Sequence, residues 1–219
     1  MDIEFMQRVL PLYERAAYLT VTIGLAGVVL SIAVGMVCVA AQYFKIPVLR
    51  QIAAIYIELS RNTPLLVQLF FIYYGLPKVG VILSAEVCGC LGLTFLGGSY
   101  MAEAFLSGLT SVSPVQRESG LSLGLSEGQV FFRIIMPQAV SVSIPGIVAN
   151  IIFLLKETSV FSAVSLMDLM YTAKDLIGMY YKTSESLVLL VLFYMIILIP
   201  VSGLGMFVER QVRYAGFGT

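Results

Sequence analysis

Residues 16–44 read AAYLTVTIGLAGVVLSIAVGMVCVAAQYF and contain no charged side chain. A bilayer core needs about 20 mostly apolar residues to cross it as a helix, and this run exceeds that length. Lipid offers the backbone no hydrogen-bond partners, so a spanning segment must be a helix or part of a closed barrel, and a long uninterrupted apolar run selects the helix. Two further charge-free windows, 134–155 and 186–208, meet the same criterion. Two more are interrupted: 51–77 carries Glu58 and Arg61, and 87–109 carries Glu103 and several glycines. The expected architecture is an all-α integral membrane domain over residues 1–219, with five spans at about 16–44, 51–77, 87–109, 134–162 and 186–208.

Composition supports this solvent assignment. The chain is 59% hydrophobic and 12% charged, with a mean hydropathy of +0.95, and a soluble protein of this length carries far more polar surface. Thirteen basic and thirteen acidic residues balance, so charge gives no reason to expect a nucleic acid partner, and none is expected. Cys38, Cys88 and Cys90 lie in apolar stretches of a chain without histidine, which makes them packing residues rather than metal ligands. The first 18 residues hold five charges and no apolar centre, so a cleaved signal peptide is not expected.

Within the first window Gly27, Ser31 and Gly35 recur every fourth residue and line one helix face with small side chains, so another helix should approach closely there. Pro64, Pro145 and Pro200 fall inside spans, where each removes a backbone hydrogen bond and is expected to bend the helix. An odd number of spans puts the termini on opposite sides. Lys45, Arg50, Arg117, Arg133, Arg210 and Arg213 then share one side, while Arg8, Arg15, Lys78, Lys174 and Lys182 share the other, a weak lean toward the first side as cytoplasmic.

The stretch 111–137, SVSPVQRESGLSLGLSEGQVFFRIIMP, is too polar to span and too long for a turn. It reads as two short helices. Ser113, Pro114 and Gln116 form a capping-box pattern with proline where its missing N–H costs nothing, and Ser126 with Gln129 repeats it. Val130, Phe131, Ile134 and Ile135 share a face, so the second helix is expected to lie on the membrane surface before Pro137 leads into the fourth span. Small residues on the first helix, beside Arg117 and Glu118, suggest that another surface docks there.

At this loop the chain resembles the inner-membrane permeases of ABC importers. That family carries an acidic-small-small pattern, a glycine four residues later and a hydrophobic-proline pair, here Glu118, Ser119, Gly120, Gly124 and then Met136-Pro137. The stretches ELSRNTPLLVQ (58–68), YMAE (100–103) and NIIFLLKETS (150–159) narrow the likeness to the polar amino acid branch, similar to histidine, glutamine and arginine permeases. Together they cover about residues 20 to 213. Ser119-Gly120 replaces the usual paired alanines, Asn62 stands where glycine is common and Leu106 where arginine is frequent. The resemblance implies a type I importer transmembrane domain with five transmembrane helices and a cytoplasmic coupling-helix loop at 111–137. It implies a multi-pass protein of the bacterial inner membrane with its N-terminus outside. Its implied partners are two ATP-binding cassette ATPase subunits, a second permease subunit, identical or paralogous, an extracytoplasmic amino acid-binding protein and membrane lipid.

No Gly-x-x-x-x-Gly-Lys-Ser/Thr phosphate loop occurs in the sequence, so ATP and Mg are expected in the ATPase partner, with no catalysis and no cofactor in this chain. The expected coupling residues are Arg117, Glu118, Ser119, Gly120, Leu123 and Gly124. Charged groups inside a bilayer cost at least about 2.5–3.5 kcal/mol and so face a cavity or a partner. The expected substrate pathway is therefore Gln68, Tyr100, Glu103, Asn150, Lys156, Glu157, Thr158 and Ser159. Asn150 and Glu157 lie two helical turns apart, and Tyr100 and Glu103 share a face. The competing reading is a Lys156–Glu103 or Lys156–Glu157 pair that only locks helices together. Glu58 and Arg61, three residues apart, read as a surface bridge near the cytoplasmic end of the second span, with a role in gating as the alternative. The outer loop 165–185, with Asp168, Lys174, Asp175 and three tyrosines, is expected to help receive the binding protein. A self-contained channel or secondary transporter is the alternative class, separated by whether an ATPase subunit copurifies.

Overall fold

The computed structural model describes the chain from Met1 to Phe217, with side chains to Val212; Arg213 lies outside the residues whose side chains are described. Every regular element among the described residues is helical. Helix α1, Ile3–Tyr43, starts at Asp2, whose side chain accepts from the Phe5 N–H. Three elements are long and apolar enough to cross a membrane unaided: Ile3–Tyr43, the continuous Glu127–Val164, and Thr183–Val212. Helix α4, Ala85–Ser111, is about 40 Å long at 1.5 Å per residue, which matches the others in length alone.

The window 51–77 is not one helix. It divides into α2, Leu49–Arg61, and α3, Leu65–Phe70. Pro64 disfavours helical geometry at Thr63 and supplies no N–H, so α2 stops at Arg61 and the chain restarts beyond the proline. From α3 it runs through a π turn, Phe71–Gly75, and a 3₁₀ turn, Leu76–Val79. Pro145 and Pro200 remain inside helices, as does Pro11.

The small-residue face of α1 packs on α4. A Cβ at Gly27 would sit 2.8 Å from the Leu93 Cβ, and one at Gly35 2.7 Å from the Met101 Cβ. Ser31 donates to the carbonyls of Gly27 and Leu93 at 2.7 and 3.2 Å. In lipid such contact, with interhelical hydrogen bonds, takes the place of the hydrophobic effect in holding helices together. A second seam joins α2 to α4: Tyr56 and Ser60 both donate to the Phe95 carbonyl, and Ser99 donates to the Ser60 hydroxyl at 3.1 Å. Cys38 and Cys88 are buried, Cys90 is half-buried, and all three are free thiols.

The loop after α4 departs from expectation in two places. Ser113 precedes α5, Pro114–Ser122, but its side chain makes no capping bond; the capping box forms only at Ser126 and Gln129. The second short helix is not a separate element. α6, Glu127–Val130, passes through a π turn at Phe131–Ile135 straight into α7, Met136–Glu157. The π turn accommodates the N–H that Pro137 lacks, so the helix continues instead of breaking. Val130 and Ile135 are buried, with Val130 against α5, which uses their apolar face within the protein.

Beyond α7 a 3₁₀ segment, Thr158–Val164, leads to α8, Leu169–Tyr180, and α9, Thr183–Phe217. The start of α1 packs on α8 and α9 through Phe5, Val9 and Tyr13 against Leu169, Leu176 and Leu189. Lys182 bonds Asp2 at 3.0 Å, and Tyr13 donates to the Ser186 carbonyl at 2.7 Å. The bundle thus has two ends. The end of α1 meets the α6–α7 junction at one, where Tyr43 and Phe131 lie 4.8 Å apart; its beginning meets α8 and α9 at the other.

Candidate functional site: a cavity between two helix breaks

Two elements change geometry beside one another, α2 where it ends at Arg61 and α7 where it tightens into a 3₁₀ segment after Glu157. A cavity of about 370 Å³ lies between these breaks, lined by Arg61, Pro64, Tyr100, Phe153 and Glu157 among others. Arg61 is the last residue of α2, about 18 Å along the helix from its first. Its guanidinium pairs with Glu103 and lies 5.5 Å from the centre of the Tyr100 ring. Tyr100 tilts against Phe153 at 5.2 Å.

This arrangement replaces the expected Glu58–Arg61 bridge. Glu58 instead accepts from the Asn62 side chain at 3.2 Å, because Arg61 reaches across to the carboxylate on α4. It also replaces the expected Lys156 pairings: Glu103 is taken by Arg61, and Lys156, which is exposed, makes no ion pair among the described residues. Arg61 is the residue that sequence reasoning missed. The available signal was a lone basic group in one apolar window and a lone acidic group, Glu103, in the next, each needing a partner in lipid.

The remaining expected pathway residues divide. Tyr100 and Glu157 line the cavity. Asn150 donates to the Tyr100 carbonyl at 3.0 Å, which ties α7 to α4 beneath the ring. Gln68 is buried and donates to the carbonyls of Ser60 and Thr63 at 3.0 and 2.9 Å, satisfying groups that the break of α2 leaves open. Thr158 is buried and donates to the Leu155 carbonyl. Ser159 is half-buried in the 3₁₀ segment, where its carbonyl accepts from Ser162.

At the other candidate surface, α5 ends in a Schellman motif: the Leu125 N–H donates to the Gly120 carbonyl and the Gly124 N–H to that of Leu121. Gly124 has φ +81° and nothing within 4 Å of a Cβ built on it, so its glycine serves the left-handed turn rather than a close approach. Gly120 is buried by the chain's own Val130 and Ile134, each with an atom 2.9 Å from where a Cβ on that glycine would stand. Arg117 forks onto Glu127, which fixes α5 against α6. Glu118, Ser119 and Leu123 remain open, and Leu123 is 82% exposed.

The profile of the family described as binding-protein-dependent transport system inner membrane component matches residues 27–214. The chain belongs to this family. It is 34% identical over 214 residues to the probable amino-acid permease protein YxeN of Bacillus subtilis, covering 96% of each chain. It is 35% identical over 159 residues to the probable glutamine ABC transporter permease protein GlnP of the same organism, covering 73% of each. Its structure matches a chain of an amino acid ABC transporter crystallised with histidines at a TM-score of 0.90 and 28% identity, over 96% of this chain and 99% of that one. A chain of the MetNI methionine transporter, at TM-score 0.78 and 16% identity, shares the fold. The permease is thus a type I ABC importer transmembrane subunit, all-helical and membrane-spanning.

Proposed function

We propose that the permease carries a polar amino acid across the bacterial inner membrane through the cavity between the two helix breaks. The observation that carries this reading is the pairing of opposite charges there, Arg61 on one wall and Glu157 on the other. A zwitterion offers the reverse pair: its carboxylate suits the guanidinium fork and its ammonium suits the glutamate. Arg61 shares its charge with Glu103, so Arg61, Glu103 and Glu157 together sum to one negative charge, which favours substrates with an additional cation. The cavity size lies in the range of small-molecule sites.

In this proposal residues 1–219 form one transmembrane domain with its N-terminus outside and the α5 end in the cytoplasm. The grouping of Lys45, Arg50, Arg117, Arg133 and Arg210 at that end supports the orientation. A second permease copy or paralogue completes the pathway, and two ATPase subunits supply hydrolysis of ATP with Mg. They dock on the open face of α5 at Glu118, Ser119 and Leu123, while Arg117, Gly120 and Gly124 hold that face in shape. The exposed Lys174 and Asp175 of α8 receive the amino acid-binding protein. This chain contributes no bond-making chemistry of its own.

Uptake of radiolabelled amino acids by the reconstituted complex tests the assignment. Glu157→Gln should lower uptake of a cationic amino acid at least about tenfold, equivalent to the loss of about 1.4 kcal/mol of recognition, with ATPase assembly intact. Unchanged uptake and an unchanged substrate order in that variant would remove the cavity from the pathway.

A further inference from the structure

At the α5 end, a second groove has a chemistry that amino acid transport does not use. A slot of about 310 Å³ runs between α1, α4 and α7, walled by Met36, Ala40, Leu109, Met136 and Val140. Ser143 in its lining donates to the Ala139 carbonyl at 2.8 Å, so its hydroxyl is already engaged. The slot opens into a second cavity of about 470 Å³ that shares Tyr43, Phe44, Phe131 and Phe132 and adds Lys45, Arg117 and Glu127. The shared aromatics touch one another, with ring centres 4.8 to 5.5 Å apart, and form a collar where the apolar slot meets the polar mouth. Aromatic side chains favour that boundary of a bilayer.

The mouth carries one spare positive charge. Arg117 is forked onto Glu127, whereas Lys45 makes no ion pair among the described residues. Lys45 follows directly on the last turn of α1, at φ +52°, where that helix leaves the apolar layer. An apolar slot below an aromatic collar and a free ammonium matches one kind of molecule in both halves. We propose that this groove holds an anionic phospholipid, its headgroup phosphate at Lys45 and one acyl tail in the slot. Basic pockets between helices at a membrane surface bind such headgroups by charge, at about 1 kcal/mol per basic residue.

The test uses the full transporter reconstituted in vesicles with a phosphatidylglycerol that bears a photoactivatable group in its tail, compared with the matching phosphatidylcholine. Labelled peptides are mapped after irradiation. The anionic lipid should label residues 36–44 and 131–143 about fivefold more than the zwitterionic one, as one basic contact implies. Lys45→Gln should erase that preference, Lys45→Arg should retain it, and added inorganic phosphate should leave it unchanged. Equal labelling by the two lipids, labelling spread evenly over all lipid-facing helices, or none in these segments because a partner subunit covers them would overturn the proposal.

Discussion

Asp168 shows how a single position sets a pH dependence. It caps α8 by accepting from the Tyr171 N–H at 2.9 Å, yet it is fully buried and its second oxygen finds no partner. Burial pushes its carboxyl from the ordinary 3.8 up to about 6, against the hydrogen bonds of its own cap. The native carboxyl therefore holds its proton more tightly than the unfolded one, and stability falls as pH rises between those two values, by about 3 kcal/mol in all. Asn caps a helix as well as Asp and carries no charge. Asp168→Asn should raise the unfolding midpoint of the detergent-solubilised protein at pH 7.5 and flatten the difference between pH 5 and pH 7.5. An unaltered pH profile would contradict the burial cost. At this scale the sequence was half legible. Glu103, Glu157 and Tyr100 stand out as polar groups in apolar windows, but the partner of Arg61 lies 42 positions away on another helix, and local spacing pointed to Glu58 instead.

Elements were more legible where a repeat dictated them. Gly27, Ser31 and Gly35 announced the contact of α1 with α4 because a four-residue spacing of small side chains has one efficient use in lipid. The contact of α4 with α7 carries no such repeat and rests on Gly108, where a Cβ would overlap both the Ser143 hydroxyl and the Ala139 carbonyl oxygen. At Gly146, on the same interface, a Cβ would lie 3.4 Å from that of Ala104, an ordinary contact. Gly108→Ala should therefore destabilise the protein by about 1–3 kcal/mol, as overpacking does, while Gly146→Ala should be neutral or slightly stabilising. Thermal unfolding of both variants in the same detergent checks the contrast. The α6–α7 junction escaped sequence reading for a different reason. A short amphipathic run before a proline fits a surface helix and a π turn equally well, and only packing against α5 decides between them.

For the whole molecule, the proposed docking at α5 must reach the cavity lined by Arg61 and Glu157. Gly124 tests that link. Its open surroundings and left-handed backbone mean that a substitute acts through the chain's path, not through its bulk. Asn tolerates that geometry and a β-branched residue does not. Gly124→Asn should preserve ATP-driven uptake, whereas Gly124→Val should lower it several-fold while ATP hydrolysis by the detergent-solubilised ATPase continues. Equal uptake in both variants would separate this turn from coupling. Leu123→Asp should weaken copurification of the ATPase, since the exposed leucine offers an apolar contact that a carboxylate cannot replace.

The π turn at Phe131–Ile135 joins α6 to α7 without a break. From Glu127 to Glu157 the chain therefore follows one continuous helical path about 45 Å long, through the π turn and Pro145. Where that path tilts as a unit it acts as a lever: a tilt of about 5° at the α5 end moves the cavity end by about 4 Å, farther than the reach of a hydrogen bond. On the proposed function, an ATPase docked at α5 and α6 would need only a small rotation to shift Glu157 relative to a bound substrate, with one continuous helical path in place of a relay of side chains.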